Sequence, residues 1–260
     1  MKENQRLLSQ KRKKYMLDII EKDAGVTTNE LANKLGVSLS TVRRDLNSLG
    51  ENGLILKTHG GAVPRSFSTS YEHPYHIKSH IQKREKELIG KLSSSFIKDG
   101  DTVIFDSGTT ALQVAHHSKE KQFTAIALDL PVAVELADSP LIDLIILGGK
   151  VRAGIYAIVG TFTEDMLKNF YVNKFFMGAD AIHIHKGITN ATLAETPLKQ
   201  LGIQMAEEVI VVSDSTKFGK ISLVHVCKLE EIDKIITDEN IPLDIPSQLK
   251  EMKIEVIIAK

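Results

Sequence analysis

Seven short apolar runs in the last two-thirds of the chain limit its possible folds more than any other feature. They lie at 102–106, 124–128, 144–149, 174–178, 209–213, 235–237 and 254–258. Each is too short for a buried helix and lacks the polar alternation of a strand with one wet face. A strand that is apolar on both sides is covered on both sides. The segments between the runs, including 81–98 and 131–137, read as helices. Strands separated by helices build a largely parallel sheet, so residues 81–260 are expected to form one α/β domain.

In such sheets ligands bind beyond the carboxyl ends of the strands, and polar clusters fall at those ends. Asp106-Ser107-Gly108-Thr109-Thr110 follows the first run and opens a helix. Gly108 permits close backbone approach, and the hydroxyls of Ser107, Thr109 and Thr110 join the amides of a helix N-terminus. That chemistry suits a phosphate. Serine and threonine are also ordinary helix caps, so one such cluster says little. Gly148-Gly149-Lys150, Gly178-Ala179-Asp180 and Ser213-Asp214-Ser215-Thr216-Lys217 repeat the arrangement after later runs. Lys150 and Lys217 are expected to neutralise a phosphate, and Asp180 and Glu195 to hold sugar hydroxyls.

The first 63 residues follow a different pattern. Leu8, Tyr15, Met16, Ile19 and Ile20 recur at helical spacing, with Gly25 closing that helix. Thr27-Thr28-Asn29-Glu30 reads as a capping box, Leu31, Ala32 and Leu35 as the apolar face of a short second helix, and Gly36 as its end. Ser38 then caps a third helix. Two short helices so closely joined must cross steeply, as in a helix-turn-helix. On the third helix Val42, Leu46 and Leu49 share one face, while Ser40, Arg44 and Asn47 lie opposite, flanked by Thr41, Ser48 and Arg43. The outward face carries donors of the kind that read base edges in a major groove. Residues 54–63 form a two-stranded wing, with Lys57 and His59 near its tip to meet phosphate.

Charge distribution agrees. The 33 basic and 33 acidic residues cancel overall, but residues 1–65 hold 12 basic against 7 acidic, leaving 21 against 26 for the rest. A basic head on an acidic body fits duplex DNA. The single cysteine, Cys227, rules out an internal disulfide and reads as a small buried hydrophobe. The start of the chain is charged and lacks a signal-peptide core, so a cytoplasmic protein without membrane contact is expected. Residues 64–80, with two prolines and no apolar period, read as a linker. Its His73, His76 and His80, like His183 and His185, lack the further ligands that a metal site needs. His116 and His117 suit the end of a helix. No metal and no cofactor are expected.

The run Glu30-Leu31-Ala32, Val37-Ser38, Thr41-Val42-Arg43-Arg44-Asp45-Leu46 and His59-Gly60-Gly61-Ala62 resembles the winged helix-turn-helix of the DeoR family of bacterial regulators. The strand-end clusters, in their order, resemble that family's sensor domain, which is similar to ribose-5-phosphate isomerase and glucosamine-6-phosphate deaminase. The resemblance implies a DNA-binding repressor of a carbohydrate-utilisation operon, controlled by a phosphorylated sugar. It also implies a homo-oligomer, dimer or tetramer, on paired operator half-sites. By it Asp106, Ser107, Gly108, Thr109, Thr110, Gly148, Gly149, Asp180, Glu195 and Lys217 line the effector pocket. Three departures stand out: Ala127-Leu128-Asp129 replaces a usual Thr-Asn pair, Arg152 takes the part of an arginine common near position 150, and Ala191-Thr192 replaces a Pro-Asn pair. The alternative is a sugar-phosphate isomerase fused to a DNA-binding head. Isomerases of this kind carry a second acid three residues after the Gly-Ala-Asp aspartate, where this chain has His183, so no enzyme activity is expected.

Overall fold

The structure, a computed structural model, describes residues 2–23, 25–64 and 69–260. It divides into two compact units, residues 1–71 and 72–260.

The smaller unit runs α1 (Lys2–Lys22), β1 (Val26–Thr27), α2 (Thr28–Leu35), α3 (Leu39–Glu51), β2 (Ile55–Thr58) and β3 (Gly61–Pro64). Met16, Ile19 and Ile20 of α1 are buried, but Tyr15, expected beside them, is 56% exposed. At 100° per residue Tyr15 stands about 90° from the centre of the stripe made by the other three. The Leu8 side chain lies outside the described residues.

Helix α2 has the expected box: Thr27 Oγ1 accepts from the Glu30 amide, and the Glu30 carboxylate accepts from the Thr27 amide at 2.8 Å. Gly36 closes it in the left-handed conformation, and Ser38 caps α3 by accepting from the Thr41 amide. Val42, Leu46 and Leu49 pack with Leu31, Ile20 and Met16 in one small core. Asp45, buried on α3, takes the Arg12 guanidinium at 2.6 Å, and Lys13 donates to Ser48 Oγ at 2.7 Å, tying α1 to α3.

Strands β2 and β3 form the wing around a two-residue turn, His59-Gly60, and β1 adds a third antiparallel strand that sequence reading missed. A Cβ at Gly61 would sit 2.2 Å from the Val26 carbonyl oxygen, so β1 can approach only a glycine there.

The larger unit continues through α4 (Tyr75–Lys78), α5 (Lys83–Ser94), β4 (Thr102–Phe105), α6 (Thr109–His116), β5 (Phe123–Ala127), α7 (Leu130–Ala137), β6 (Ile142–Ile146), β7 (Lys150–Val151), β8 (Ile158–Val159), α8 (Thr161–Leu167) and β9 (Val172–Met177). There follow β10 (Ala181–His183), β11 (Gly187–Asn190), α9 (Thr196–Met205), β12 (Ala206–Val212), β13 (Val224–Cys227), β14 (Lys234–Asp238), α10 (Ile245–Glu251) and β15 (Glu255–Ala259). The seven-stranded sheet has the order β15-β14-β12-β9-β4-β5-β6, every pair parallel.

Its strands are apolar on both faces because both are covered. Val103, Phe105, Ala125, Ile210 and Val212 pack with Ile89, Val114 and Leu136 of α5 to α7. Their neighbours Ile104, Ile126, Val209 and Val211 pack on the other side with Leu167, Leu198 and Leu249 of α8 to α10. From β4 the chain winds outward to β5 and β6, then crosses back to β9 and continues the opposite way. The order therefore reverses between β4 and β9, and the crevice beyond their carboxyl ends is where such a sheet takes a ligand.

Two small features were not legible: an antiparallel sheet β10-β11-β13 and the β7-β8 ribbon. The segment expected as linker also differs. Residues 65–68 lie outside the described residues, but residues 72–80 belong to the larger unit, and Pro74 opens one turn of helix there. Helix α5 starts at Lys83 instead of 81, because Gln82 has a φ of +49° and interrupts the helix. No helix among the described residues is long and apolar enough to cross a membrane.

Candidate DNA-reading face and strand-end site

On α3 the expected outward face is exposed at Ser40, Arg43, Arg44 and Asn47, with Thr41 half-buried. Ser38 is first a structural residue. Its hydroxyl lies 2.9 Å from both Ser40 Oγ and Thr41 Oγ1, besides capping the helix. Lys57 stands opposite Ala62 on the wing, one pair back from the turn, and His59 is at the tip. The Lys57 ammonium donates to Asn47 Oδ1 at 2.8 Å, joining the wing to the third helix. The Lys57 stem fills the space over Gly50, where a Cβ would meet Lys57 Cγ at 3.2 Å. Helix and wing thus present one continuous polar surface.

In the larger unit the clusters after β4 and β9 meet at the reversal point. Asp106 is buried there; its carboxylate accepts from the Ser107 amide and the Gly178 amide, each at 2.8 Å. Lys199, buried on α9, is ion-paired to the same carboxylate and donates to the Gly178 carbonyl at 2.8 Å. Ser107 Oγ donates to Glu195 Oε2 at 2.8 Å, and Arg152 pairs with the other Glu195 oxygen. Arg152 also binds Glu72 at 3.0 Å, and Lys78 bridges Glu72 at 3.0 Å and Asp180 at 3.4 Å.

Asp180 in turn accepts from the Ala191 amide at 3.0 Å. Burial alone would raise its pKa, but Lys78 and Lys217, that amide and Lys199 together hold it well below the usual carboxylate range. Lys78 moves the other way: Asp180 and Glu72 overcome the effect of burial and raise it.

The amides expected to be free beside Gly108 are partly engaged. Gly108 has φ +116°, open only to glycine at low cost, and its N–H donates to the Asp129 carboxylate at 2.8 Å. Asp129 also caps α7, accepting from the Val132 amide at 2.8 Å. It is fully buried, and burial pushes its pKa up to about 7 against the pull of those two amides, with Asp106 adding to the rise. The first-turn amides of α6, from Thr109 onward, keep the open valences of any helix start.

Not every expected residue joins this cluster. Gly148, Gly149 and Lys150 are exposed, and the two glycines lie against α8: the Gly148 carbonyl accepts from Thr163 Oγ1 at 2.8 Å, and a Cβ at Gly149 would collide with that hydroxyl. The basic group that reaches the cluster from this side is Arg152, because the β7-β8 ribbon leaves Lys150 facing outward and the chain then turns, with the Arg152 amide bound to the Ala157 carbonyl. Lys217 sits on a short 3-10 turn capped by Asp214, near enough to Asp180 to lower its pKa.

Sequence reading missed Lys199, Glu72 and Lys78. For Lys199 the signal available was its place one helical turn after Glu195; the other two lie in a stretch with no periodic signal. His183 ends β10, and its Nδ1 accepts from the His185 amide at 3.1 Å. Cys227 is buried, and burial pushes its thiol up to about 12.

Residues 12–66 match the DeoR-like helix-turn-helix domain and residues 81–239 the DeoR C terminal sensor domain. The chain is similar to the lactose phosphotransferase system repressor of Lactococcus lactis subsp. lactis, with 35% identity over 96% of this chain and 98% of that one. It is 30% identical to the HTH-type transcriptional regulator GolR of Listeria innocua, again over 96% and 98%. With the HTH-type transcriptional repressor GlcR of Bacillus subtilis it shares 34% identity over 86% of each. Among solved structures, ribose 5-phosphate isomerase A of Methanocaldococcus jannaschii aligns over 53% of this chain and 55% of its own, at 17% identity and a TM-score of 0.40.

Proposed function

The chain belongs to the DeoR family of transcriptional regulators, and on that premise we propose that it represses a carbohydrate-utilisation operon under the control of a phosphorylated sugar. The observation that carries this reading is the exposed face of α3, with Ser40, Arg43, Arg44 and Asn47 turned away from a core built on Val42, Leu46 and Leu49. The DNA-binding head is residues 1–63, Lys57 and His59 of the wing meet the phosphate backbone, and residues 64–80, of which 72–80 pack with the larger unit, connect it to the effector-sensing domain at 81–260. The named roles of the relatives support the repressor assignment: one represses a lactose phosphotransferase system, another is the repressor GlcR.

The effector lies beyond β4 and β9. Its phosphate meets the first turn of α6 at Thr109 and Thr110, with Arg152 and Lys217 supplying positive charge, and Asp180 and Glu195 hold sugar hydroxyls. The protein senses its ligand without turning it over. An isomerase of this type would need an acid at position 183, where a histidine is held by its own loop. It acts in the cytoplasm as a homo-oligomer that sets two heads on paired half-sites. Effector and operator then oppose each other reciprocally: a ligand that weakens operator binding is itself bound less tightly by the DNA-bound form.

Replacing Arg44 by alanine is expected to leave the fold intact and cost about 1–3 kcal/mol in operator affinity, with relaxed specificity at one base position. Titration of operator and scrambled duplexes side by side measures both effects; binding to each duplex unchanged from the wild type would remove Arg44 from the reading surface.

For the sensor, thermal-shift measurement on sugar phosphates and their unphosphorylated parents is decisive. A phosphate held by charge-assisted hydrogen bonds makes the phosphorylated member bind roughly a hundredfold more tightly. A ligand of the native state raises the melting temperature. Stabilisation by free sugars alone would sink the phosphate assignment, and turnover of a hit well above background would favour the enzyme reading.

A further inference from the structure

The cationic side of the strand-end site is already occupied by the chain itself. The Glu72 side chain is 7% exposed, and its two oxygens are divided between Lys78 and Arg152, each at 3.0 Å. To a guanidinium and an ammonium a carboxylate offers the same kind of acceptor face as a phosphate. Both cations are shared with other acids of the site, Arg152 with Glu195 and Lys78 with Asp180. Loss of Glu72 therefore leaves neither charge stranded.

The cluster cannot simply take on another anion. Four carboxylates, those of Glu72, Asp106, Asp180 and Glu195, are balanced at best by Lys78, Arg152, Lys199 and the nearby Lys217. A phosphate dianion added to this balanced set would find no net positive charge to offset its desolvation, whereas one that displaces the Glu72 carboxylate meets an excess of one positive charge. Of the four acids, Glu72 is the one supplied by the segment that follows directly from residues 1–71.

Several bonds seat that segment on its unit. The Tyr75 amide donates to the Gly154 carbonyl at 2.8 Å, the Lys86 ammonium holds the carbonyls of Lys78 and Ile81 at 2.7 and 2.8 Å, and the Tyr75 ring lies edge-on to Tyr156. The Tyr75 hydroxyl is buried without a hydrogen-bond partner, a local cost that movement of the segment would relieve.

We infer that Glu72 is a built-in stand-in for the effector's phosphate, displaced by the ligand's anion from Arg152 and Lys78, and that release of residues 72–74, ahead of the turn that keeps Lys78 in the site, carries the signal toward the DNA-binding residues. The inference rests on the reading of the strand-end site as a phosphate site. It makes Glu72 an internal competitor. A competitor seated about 90–99% of the time weakens apparent ligand affinity about 10- to 100-fold.

The test uses the full chain and its Glu72→Gln variant, which keeps the side-chain shape and removes the charge. Each is titrated calorimetrically with inorganic phosphate against sodium chloride at matched ionic strength. Hydrogen exchange is followed at the amide of Tyr75, which ties the end of this segment to the Gly154 carbonyl. The variant is expected to bind phosphate at least tenfold more tightly. Exchange at Tyr75 is expected to quicken on phosphate binding in the wild type, and to be fast in the variant before any phosphate is added. Equal or weaker phosphate binding by the variant, or exchange unchanged by phosphate in the wild type, overturns the inference while leaving the phosphate site standing. Failure of both proteins to bind phosphate removes the site, and the inference with it.

Discussion

Replacing Lys199 by methionine is expected to cost the larger unit about 3–5 kcal/mol, the price of leaving one member of a buried ion pair alone. Its ammonium is paired with Asp106, and both side chains are at most 4% exposed. Methionine fills much the same volume, so packing of α9 changes little and the loss is mainly electrostatic. Asp106 would keep the amides of Ser107 and Gly178 but no countercharge, and the Gly178 carbonyl would lose its donor. The double variant Lys199→Met, Asp106→Asn removes both charges and is expected to regain more than half of the loss. Urea unfolding of the wild type, both single variants and the double variant closes the cycle. A cost below about 1 kcal/mol for Lys199→Met alone would show that Asp106 does not depend on this partner.

Lys199 also illustrates what a sequence conceals. The strands were legible because their signal is local: a run such as 209–213, apolar on both faces, needs no partner to be recognised. The same holds for the capping box of Thr27 and Glu30 and for the two-faced third helix, whose inward residues are all buried. The clusters at Asp106 and Asp180 could be seen to follow strands, and the reversal of strand order, which brings the ends of β4 and β9 together, is what the structure adds. What failed to show depends on partners distant in the chain. Strand β1 is two residues long and exists only because β3 lies beside it, across a glycine. A lysine in a helix reads as solvated unless its acid is known, and the acid for Lys199 lies 93 positions away. Glu72 and Lys78 lie where no periodicity marks them, and only the fold makes them part of the site. Lys150 failed for the opposite reason. It had the right chemistry at a strand end, but a two-residue ribbon turned it outward, and Arg152 is the base from this side that reaches the acids.

Asp129 carries a signal that is readable in the sequence. An Asp followed by Leu130-Pro131 marks a helix N-cap with proline in the first turn, and Asp129 caps α7 in that way. The residue also has a consequence for stability. In an unfolded chain an aspartate ionises near pH 4. In the native protein burial holds Asp129 protonated up to about 7. Between those two values the native state binds more protons than the unfolded state, so stability falls as pH rises from about 4 to about 7, and this group contributes no further change above that. A displacement of this size corresponds to about 3–4 kcal/mol across the window. Asparagine at this position cannot ionise; it keeps one oxygen to accept from an amide and loses the other acceptor, a fixed cost that does not vary with pH. Denaturant unfolding of the wild type and the Asp129→Asn variant at pH 5, 6, 7 and 8 is therefore expected to give a large stability difference in favour of the wild type at pH 5. That difference should shrink, and can reverse, by pH 8. A gap between the two proteins that stays constant from pH 5 to 8 would mean that Asp129 is ionised throughout, with the Gly108 and Val132 amides outweighing its burial.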